Sequence, residues 1–451
     1  MGRRHAGLWN LVSMLAVLAA ITAAQAQVPD DIAIGAIRWD AWYEGAMDQK
    51  VLEQPEWAHR APFFARYDEN GRLHLDGDKE HVLHAEVAYA RAIGIDYFIF
   101  GFYPETGSWG RDITTHLKLN RALSSYLRLP DRMGVKFALS LNQLFPMSDV
   151  DEMANSVATF AAHPDYMRTQ TGTLPVYVLA HDGFDWSKFF GTDDKAREAF
   201  LTIRRVTRER TGGEITFVIM NYVAGEAMDI ARRYGLDMVT TYSNFAPGKG
   251  AMESAFDVCA RHGEAQWNKA AVAGVPYAPN ITLGWDTRPR LAPAVNPQKK
   301  EQGPWCGLPG REILQQHFAH AAEFVNKSVT AVPFRTITVY AWNEYTEGGW
   351  MAPSVIGGDA WLGIQRAAIS RNRKLPAVEL TWPDQLEPSA CPVRTAAKVR
   401  SEVAAKCTGV VRAAAPWPCP PGMVEKGDSV RAPSGYESMV WSGGWRVRVC
   451  G

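Results

Sequence analysis

Two carboxylates stand three residues apart in the run Ala341-Trp342-Asn343-Glu344-Tyr345-Thr346-Glu347-Gly348-Gly349. Confined together, two carboxyl groups push each other's pKa apart, so that one holds a proton while the other is ionised. Cleavage of a glycosidic bond needs that division of labour: one carboxyl protonates the leaving oxygen and the other acts as base or nucleophile. A plainer reading is that one glutamate pairs with Arg288 or Arg60 and only braces the structure. Spacing alone leaves both readings open. Upstream, Trp285, Asp286 and Arg288 combine a ring with polar groups. That set suits a sugar, whose C–H face stacks on aromatics while its hydroxyls seek hydrogen bonds; a structural Asp–Arg pair fits equally well.

Other chemistries lack their residues. No G-x-S-x-G accompanies an Asp and a His, no H-E-x-x-H is present, and no phosphate-binding Gly-rich loop occurs. The expectation is therefore a reaction without metal or cofactor.

Such residues need a scaffold. Short apolar runs of strand type recur at 32–37, 97–103, 135–141, 174–179, 215–220, 238–242, 277–283 and 336–340. They are continuous rather than alternating, as strands of a parallel sheet buried on both faces are. Helical periodicity lies between them at 81–92, 113–127, 151–162, 194–208, 224–233, 252–271, 312–326 and 359–369, the first ending before Gly94 as its cap. The predicted fold is α/β, a (β/α)8 TIM barrel. An open doubly wound sheet is the runner-up, but no G-x-G-x-x-G follows the first strand.

In a barrel the chemistry sits at the C-terminal strand ends. These ends carry Trp39 and Asp40, Tyr103 and Glu105, Asn142 and Gln143, His181 and Asp182, Asn221, Tyr242 and Asn244, then Trp285, Asp286 and Arg288, and finally Trp342, Asn343, Glu344 and Glu347. The candidate catalytic residues are Glu344 and Glu347. The candidate substrate-binding residues are Trp42, Tyr103, Tyr242, Trp285, Asp286, Arg288, Trp342 and Asn343. The long segment 39–78 reads as a lid or binding wall, with Trp42 and Trp57 as sugar platforms or as packed core.

The chain has 451 residues with 48 Lys and Arg against 48 Asp and Glu. That balance fits a folded protein and offers no basic surface for nucleic acid. Arg3 and Arg4, the apolar run 8–24 and Ala24-Gln25-Ala26 predict a signal peptide over 1–26, cleaved after Ala26, and a secreted or periplasmic product. No later stretch reaches the roughly 18 apolar residues of a membrane span. Export favours disulfides. Cys391, Cys407, Cys419 and Cys450 crowd the C-terminal end, where helical periodicity fades and 446–450 alternates like a strand. A small disulfide-stapled module over 376–451, behind a barrel over 27–375, is expected. Cys259 and Cys306 remain as a third pair.

The string Trp342-Asn343-Glu344-Tyr345-Thr346-Glu347-Gly348 resembles the W-N-E-[aromatic]-x-E-G signature of glycoside hydrolase family 99 and its WbsX-like relatives. Gly284-Trp285-Asp286-Thr287-Arg288-Pro289-Arg290 is similar to their G-W-D-x-x-x-R segment. Weaker matches at 60–63, 94–98 and 163–166 keep the same order. Tyr345 stands where Trp is usual, and Met351-Ala352-Pro353 where WbsX-like proteins often show an apolar-Glu-Pro. The resemblance implies a barrel that cleaves internal α-mannosidic bonds with retention. It implies Glu344 as base on the substrate's 2-hydroxyl and Glu347 as general acid/base. The expected partner is a polysaccharide or oligosaccharide. Two other classes stay open: a glycosyltransferase or transglycosylase of envelope polysaccharide assembly, and a noncatalytic glycan-binding protein.

Overall fold

The structure is a computed structural model that describes residues 27–54, 56–68, 72–103, 118–142, 150–180, 185–244, 252–291, 303–327, 332–354 and 358–375, with the short strands at 411–413 and 447–449. The expected leader at 1–26, the tail cysteines, Glu105, Gln143, His181 and Asp182 lie outside the described residues.

Eight parallel strands form the barrel: β1 Ala33–Arg38, β2 Tyr97–Phe102, β3 Lys136–Asn142, β4 Leu174–Leu179, β5 Ile215–Asn221, β6 Met238–Thr241, β7 in two pieces at Tyr277–Ala278 and Asn280–Thr282, and β8 Thr336–Tyr340. Each neighbours the next in order, and β8 pairs with β1 in the register Ala33↔Thr336 to Ile37↔Tyr340. Pro279 has no N–H to donate, and it divides β7: the first piece pairs with β6, the second with β8. The ring therefore closes through both halves of one strand. Its strands are buried on both faces, as their uninterrupted apolar character predicts.

Helices follow the strands in turn: α1 Glu80–Ile93, α2 Arg121–Arg128, α3 Val150–Ala161, α4 Asp193–Thr211, α5 Ala224–Tyr234, α6 Phe256–Val272, α7 Arg311–Lys327 and α8 Gly358–Ile369. Their local causes are plain in α4. The Thr192 hydroxyl caps it by accepting from the Lys195 N–H at 3.2 Å, Asp193 and Asp194 lie in its first turn, and Arg208 and Arg210 in its last. Gly94 ends α1 in the left-handed conformation. One predicted helix starts late. The run expected from Met252 first forms a short strand, Glu253–Ser254, parallel to Trp305–Cys306, and α6 begins at Phe256. Tertiary pairing there overrides the local helical pattern.

Three ties hold these elements together. Cys259 on α6 is disulfide-bonded to Cys306, across 47 residues of chain. Inside the barrel, the Tyr97 hydroxyl shares hydrogen bonds of 2.7 Å with those of Tyr177 and Thr336, filling the lumen with satisfied polar groups. At the N-terminal face of the barrel, Val28 bridges to Arg371, whose guanidinium donates to the carbonyls of Pro29, Ile32 and Gly94 and pairs with Asp96. Beyond the barrel, Val411–Ala413 pairs antiparallel with Val447–Val449. Among the described residues no helix is long and apolar enough to cross a membrane.

Candidate active site

The end of β8 turns immediately into a miniature hairpin. Asn343–Glu344 pairs antiparallel with Gly349–Trp350, in the register Asn343↔Trp350 and Glu344↔Gly349. Glu344 thus lies on the outgoing strand and Glu347 in the connecting turn, where its N–H donates to the Glu344 carbonyl at 3.2 Å. The turn requires Gly348: its φ is +84°, and a Cβ there would meet the Asp286 nitrogen at 2.6 Å. The same close approach lets the Asp286 N–H donate to the Glu347 carbonyl at 2.6 Å. The two stretches read separately in the sequence are one structure, packed backbone to backbone.

The two glutamates share a cation. Arg290 Nη2 donates to Glu344 Oε2 at 3.3 Å, while Nη1 bonds Glu347 Oε1. The other oxygens take phenols: the Tyr242 hydroxyl donates to Glu344 Oε1 at 3.2 Å, and the Tyr340 hydroxyl to Glu347 Oε2. Glu344 is buried, 2 % exposed, whereas the Glu347 side chain keeps 14 %. Burial, then the charge of Glu347, pushes the Glu344 carboxyl well above the usual carboxylate range; Asp48 adds to this and Arg290 opposes it. Burial and the same two carboxylates push the phenols of Tyr242 and Tyr340 up, which keeps them donors. Burial disfavours the charge on Arg290, but Glu347, Asp48 and Glu344 more than offset it and raise its pKa. The arrangement is a carboxyl pair, one member buried and the other partly exposed, with one guanidinium bonded to both.

Arg290 itself is held from three sides. Its Nε donates to Thr346 Oγ1 at 2.9 Å and to Asp48 Oδ1 at 3.1 Å, and its Cζ lies 4.9 Å from the Trp39 ring centroid. Trp39 is placed in turn by its backbone N–H on Asn343 Oδ1 at 2.9 Å and its indole N–H on the Tyr103 hydroxyl at 2.9 Å. Asn343 donates onward to Asp40 at 3.2 Å. Beneath lies a buried ionic layer in which Arg38 pairs with Asp40 at 2.6 Å and with Glu86 at 3.0 Å.

The predicted substrate-binding residues divide. Tyr103, Tyr242 and Asn343 join the glutamate cluster directly or through one neighbour. Trp285 stands beside it, its ring 5.7 Å from Tyr340 and 6.3 Å from Tyr222. Trp342 is fully buried, with its ring 5.0 Å from Phe98 and its indole N–H on Glu86 at 3.0 Å. Trp42 is 2 % exposed and packs edge-on to Tyr345 at 5.1 Å. Both tryptophans are core residues, with no ring face on the mouth. Asp286 is 3 % exposed and is occupied by Arg60 and Arg288. Burial favours its neutral form, yet those two guanidiniums hold it below the usual carboxylate range. Arg288 and Arg60 therefore brace Asp286 and not the glutamates. Arg288 also stacks 3.8 Å over Trp305.

Sequence reasoning missed Arg290, Asp48, Tyr340 and Thr346. Arg290 closes the second quoted motif and Thr346 lies within the first, so each had a signal. Asp48 had none, because it lies 242 residues from the arginine that it holds. Among the described residues no group of three or more His, Cys, Asp or Glu side chains is placed to hold a metal.

No family model matches the chain, and no curated protein matches it. Solved structures similar to it include a glycoside hydrolase-like protein, at 14 % identity and a TM-score of 0.48, covering 76 % of this chain and 95 % of that one. A GH99 endo-alpha-mannosidase from Bacteroides thetaiotaomicron has 15 % identity and a TM-score of 0.42, covering 72 % and 88 %. A hyperthermophilic beta-glucosidase from Pyrococcus furiosus has 10 % identity and a TM-score of 0.44, covering 80 % and 98 %.

Proposed function

We propose that the chain is an exported glycoside hydrolase that cleaves internal, α-linked, mannose-type bonds of a glycan with retention. The observation that carries this reading is the Glu344–Glu347 pair: two carboxyls at the end of β8, bonded to one arginine, one of them buried and inclined to keep a proton. Hydrolysis needs one protonated and one ionised carboxyl at one bond.

In this reading Glu347 gives its proton to the glycosidic oxygen as the bond to the anomeric carbon breaks. Glu344 removes the proton of the neighbouring 2-hydroxyl, whose oxygen closes on the anomeric carbon. Water then opens the three-membered ring, Glu347 taking the water's proton and Glu344 returning its own to the 2-oxygen. Atoms balance, and stereochemistry is retained through two inversions. Tyr103, Trp285 and Trp39 line the approach as partners for hydroxyls and sugar faces.

The raised pKa of Glu344 favours the reverse allocation, with Glu344 as acid and Glu347 as base. The two are separable. Residues 27–451 are incubated with α-mannans and other microbial polysaccharides, and released oligosaccharides are read by mass beside Glu344→Gln and Glu347→Gln. Loss of product in either variant supports the pair as catalytic. An aryl glycoside whose leaving group needs no protonation then restores turnover only in the variant that lacks the acid. Absence of product from every glycan, with binding intact in parent and both variants, would replace the hydrolase by a glycan-binding protein.

A further inference from the structure

Asp48 places a carboxyl group deep in the protein. It lies in the short helix Met47–Leu52 and is wholly buried. Its Oδ1 accepts from the Thr346 hydroxyl at 2.6 Å and from Arg290 Nε at 3.1 Å, while Oδ2 meets no donor among the described residues. Burying a carboxylate that is only half satisfied is costly. A hydrophobic residue would fill the same space without that cost.

The geometry of arginine shows what the charge accomplishes. A guanidinium is a rigid planar fork, so fixing Nε fixes the directions of both terminal nitrogens. Asp48 and Thr346 hold Nε, and Nη1 and Nη2 then point at Glu347 and Glu344. The other groups facing the pair are the phenols of Tyr242 and Tyr340; behind them stand Tyr103 and Tyr222, and Asp286 is neutralised by Arg60 and Arg288. Arg290 is thus the one cation bonded to the pair among the described residues. We propose that Asp48 is a positioning residue: it aims Arg290 so that one guanidinium bonds both glutamates. This rests on the reading of Glu344 and Glu347 as the reacting groups.

The test compares Asp48→Ala, Asp48→Asn and Arg290→Gln in the full chain with two readouts. One is the pH titration of the glutamate carboxyls by NMR of 13C-glutamate-labelled protein. The other is the pH profile of product release. Asp48→Asn keeps the acceptor oxygen and loses the charge. Its kcat should stay within a few-fold of the parent's, and its Glu344 should titrate lower, because a negative neighbour is gone. Asp48→Ala loses one of the two acceptors of Nε and the partner that orients the other, the Thr346 hydroxyl, so the fork is loosened. Its kcat should fall about 10- to 100-fold with little change in KM, as small misplacements do. Its Glu344 should titrate higher, in the direction of Arg290→Gln. A downward shift in both Asp48 variants, or parent-like kcat in Asp48→Ala, would overturn the proposal. If Asp48→Ala does not fold, Thr346→Val replaces it, with an upward shift and a several-fold loss of kcat expected and parent-like behaviour overturning the proposal. If the parent cleaves no glycan, the hydrolase reading fails and the titration alone decides the role of Asp48.

Discussion

At the scale of single residues, the site is a problem of where one proton resides. Glu344 has its pKa raised in the folded state by burial and by Glu347. The sign follows: a carboxyl that folding keeps protonated contributes its stability fully at low pH, and that stability is lost as pH rises through the raised value. Each pH unit over which ionisation is opposed corresponds to about 1.4 kcal/mol. Glu344→Gln cannot ionise. Its melting temperature should match the parent's in acid and exceed it at neutral and alkaline pH, read by calorimetry across a pH series. A parent that stays as stable as the variant at alkaline pH would contradict the assigned direction. Glu344 and Glu347 were legible in the sequence because their spacing is local. Arg290 was half legible: it closes a motif, but which of Arg60, Arg288 and Arg290 meets the glutamates depends on a three-dimensional choice. The structure gives Asp286 to the first two and the pair to the third.

At the scale of elements, the hairpin after β8 does the positioning, and its glycines set its tolerance. Gly348→Ala would face both a left-handed φ and an atom 2.6 Å away, the Asp286 nitrogen. Gly45 has a similar φ of +83° but nothing within 4 Å of an added Cβ, so Gly45→Ala isolates the backbone strain alone. Gly45→Ala is expected to cost about 1 kcal/mol, and Gly348→Ala on the order of 3 kcal/mol together with activity. Urea midpoints and product release check both. The strands themselves were readable nearly to the residue, since burial on both faces leaves an unbroken apolar signature in each. What periodicity does not carry is pairing: the division of β7 at Pro279 and the short strand before α6 depend on partners far along the chain. The same limit hid the burial of Trp42 and Trp342, because an aromatic at a strand end reads alike whether it faces a ligand or Tyr345.

At the scale of the whole molecule, distant parts are held by a few cross-links. The disulfide between Cys259 and Cys306 closes 47 residues and fixes the strand whose Cys306 exchanges backbone hydrogen bonds with Trp285 at 2.8 and 3.0 Å. Replacing both cysteines by serine should cost about 2–4 kcal/mol. The loss should appear as a lower melting temperature of the barrel. An unchanged melting temperature would show the bond to be dispensable for stability. Such a loss would fall next to the site, since Trp285 adjoins Asp286 and the glutamate turn. The clasp of Val28 and Arg371 acts at the opposite face. It brings the first and last segments of the barrel side by side, beneath the floor of the strands. A bead or fusion partner joined ahead of Val28 would therefore attach behind the barrel, at the end of the strands opposite the glutamate pair.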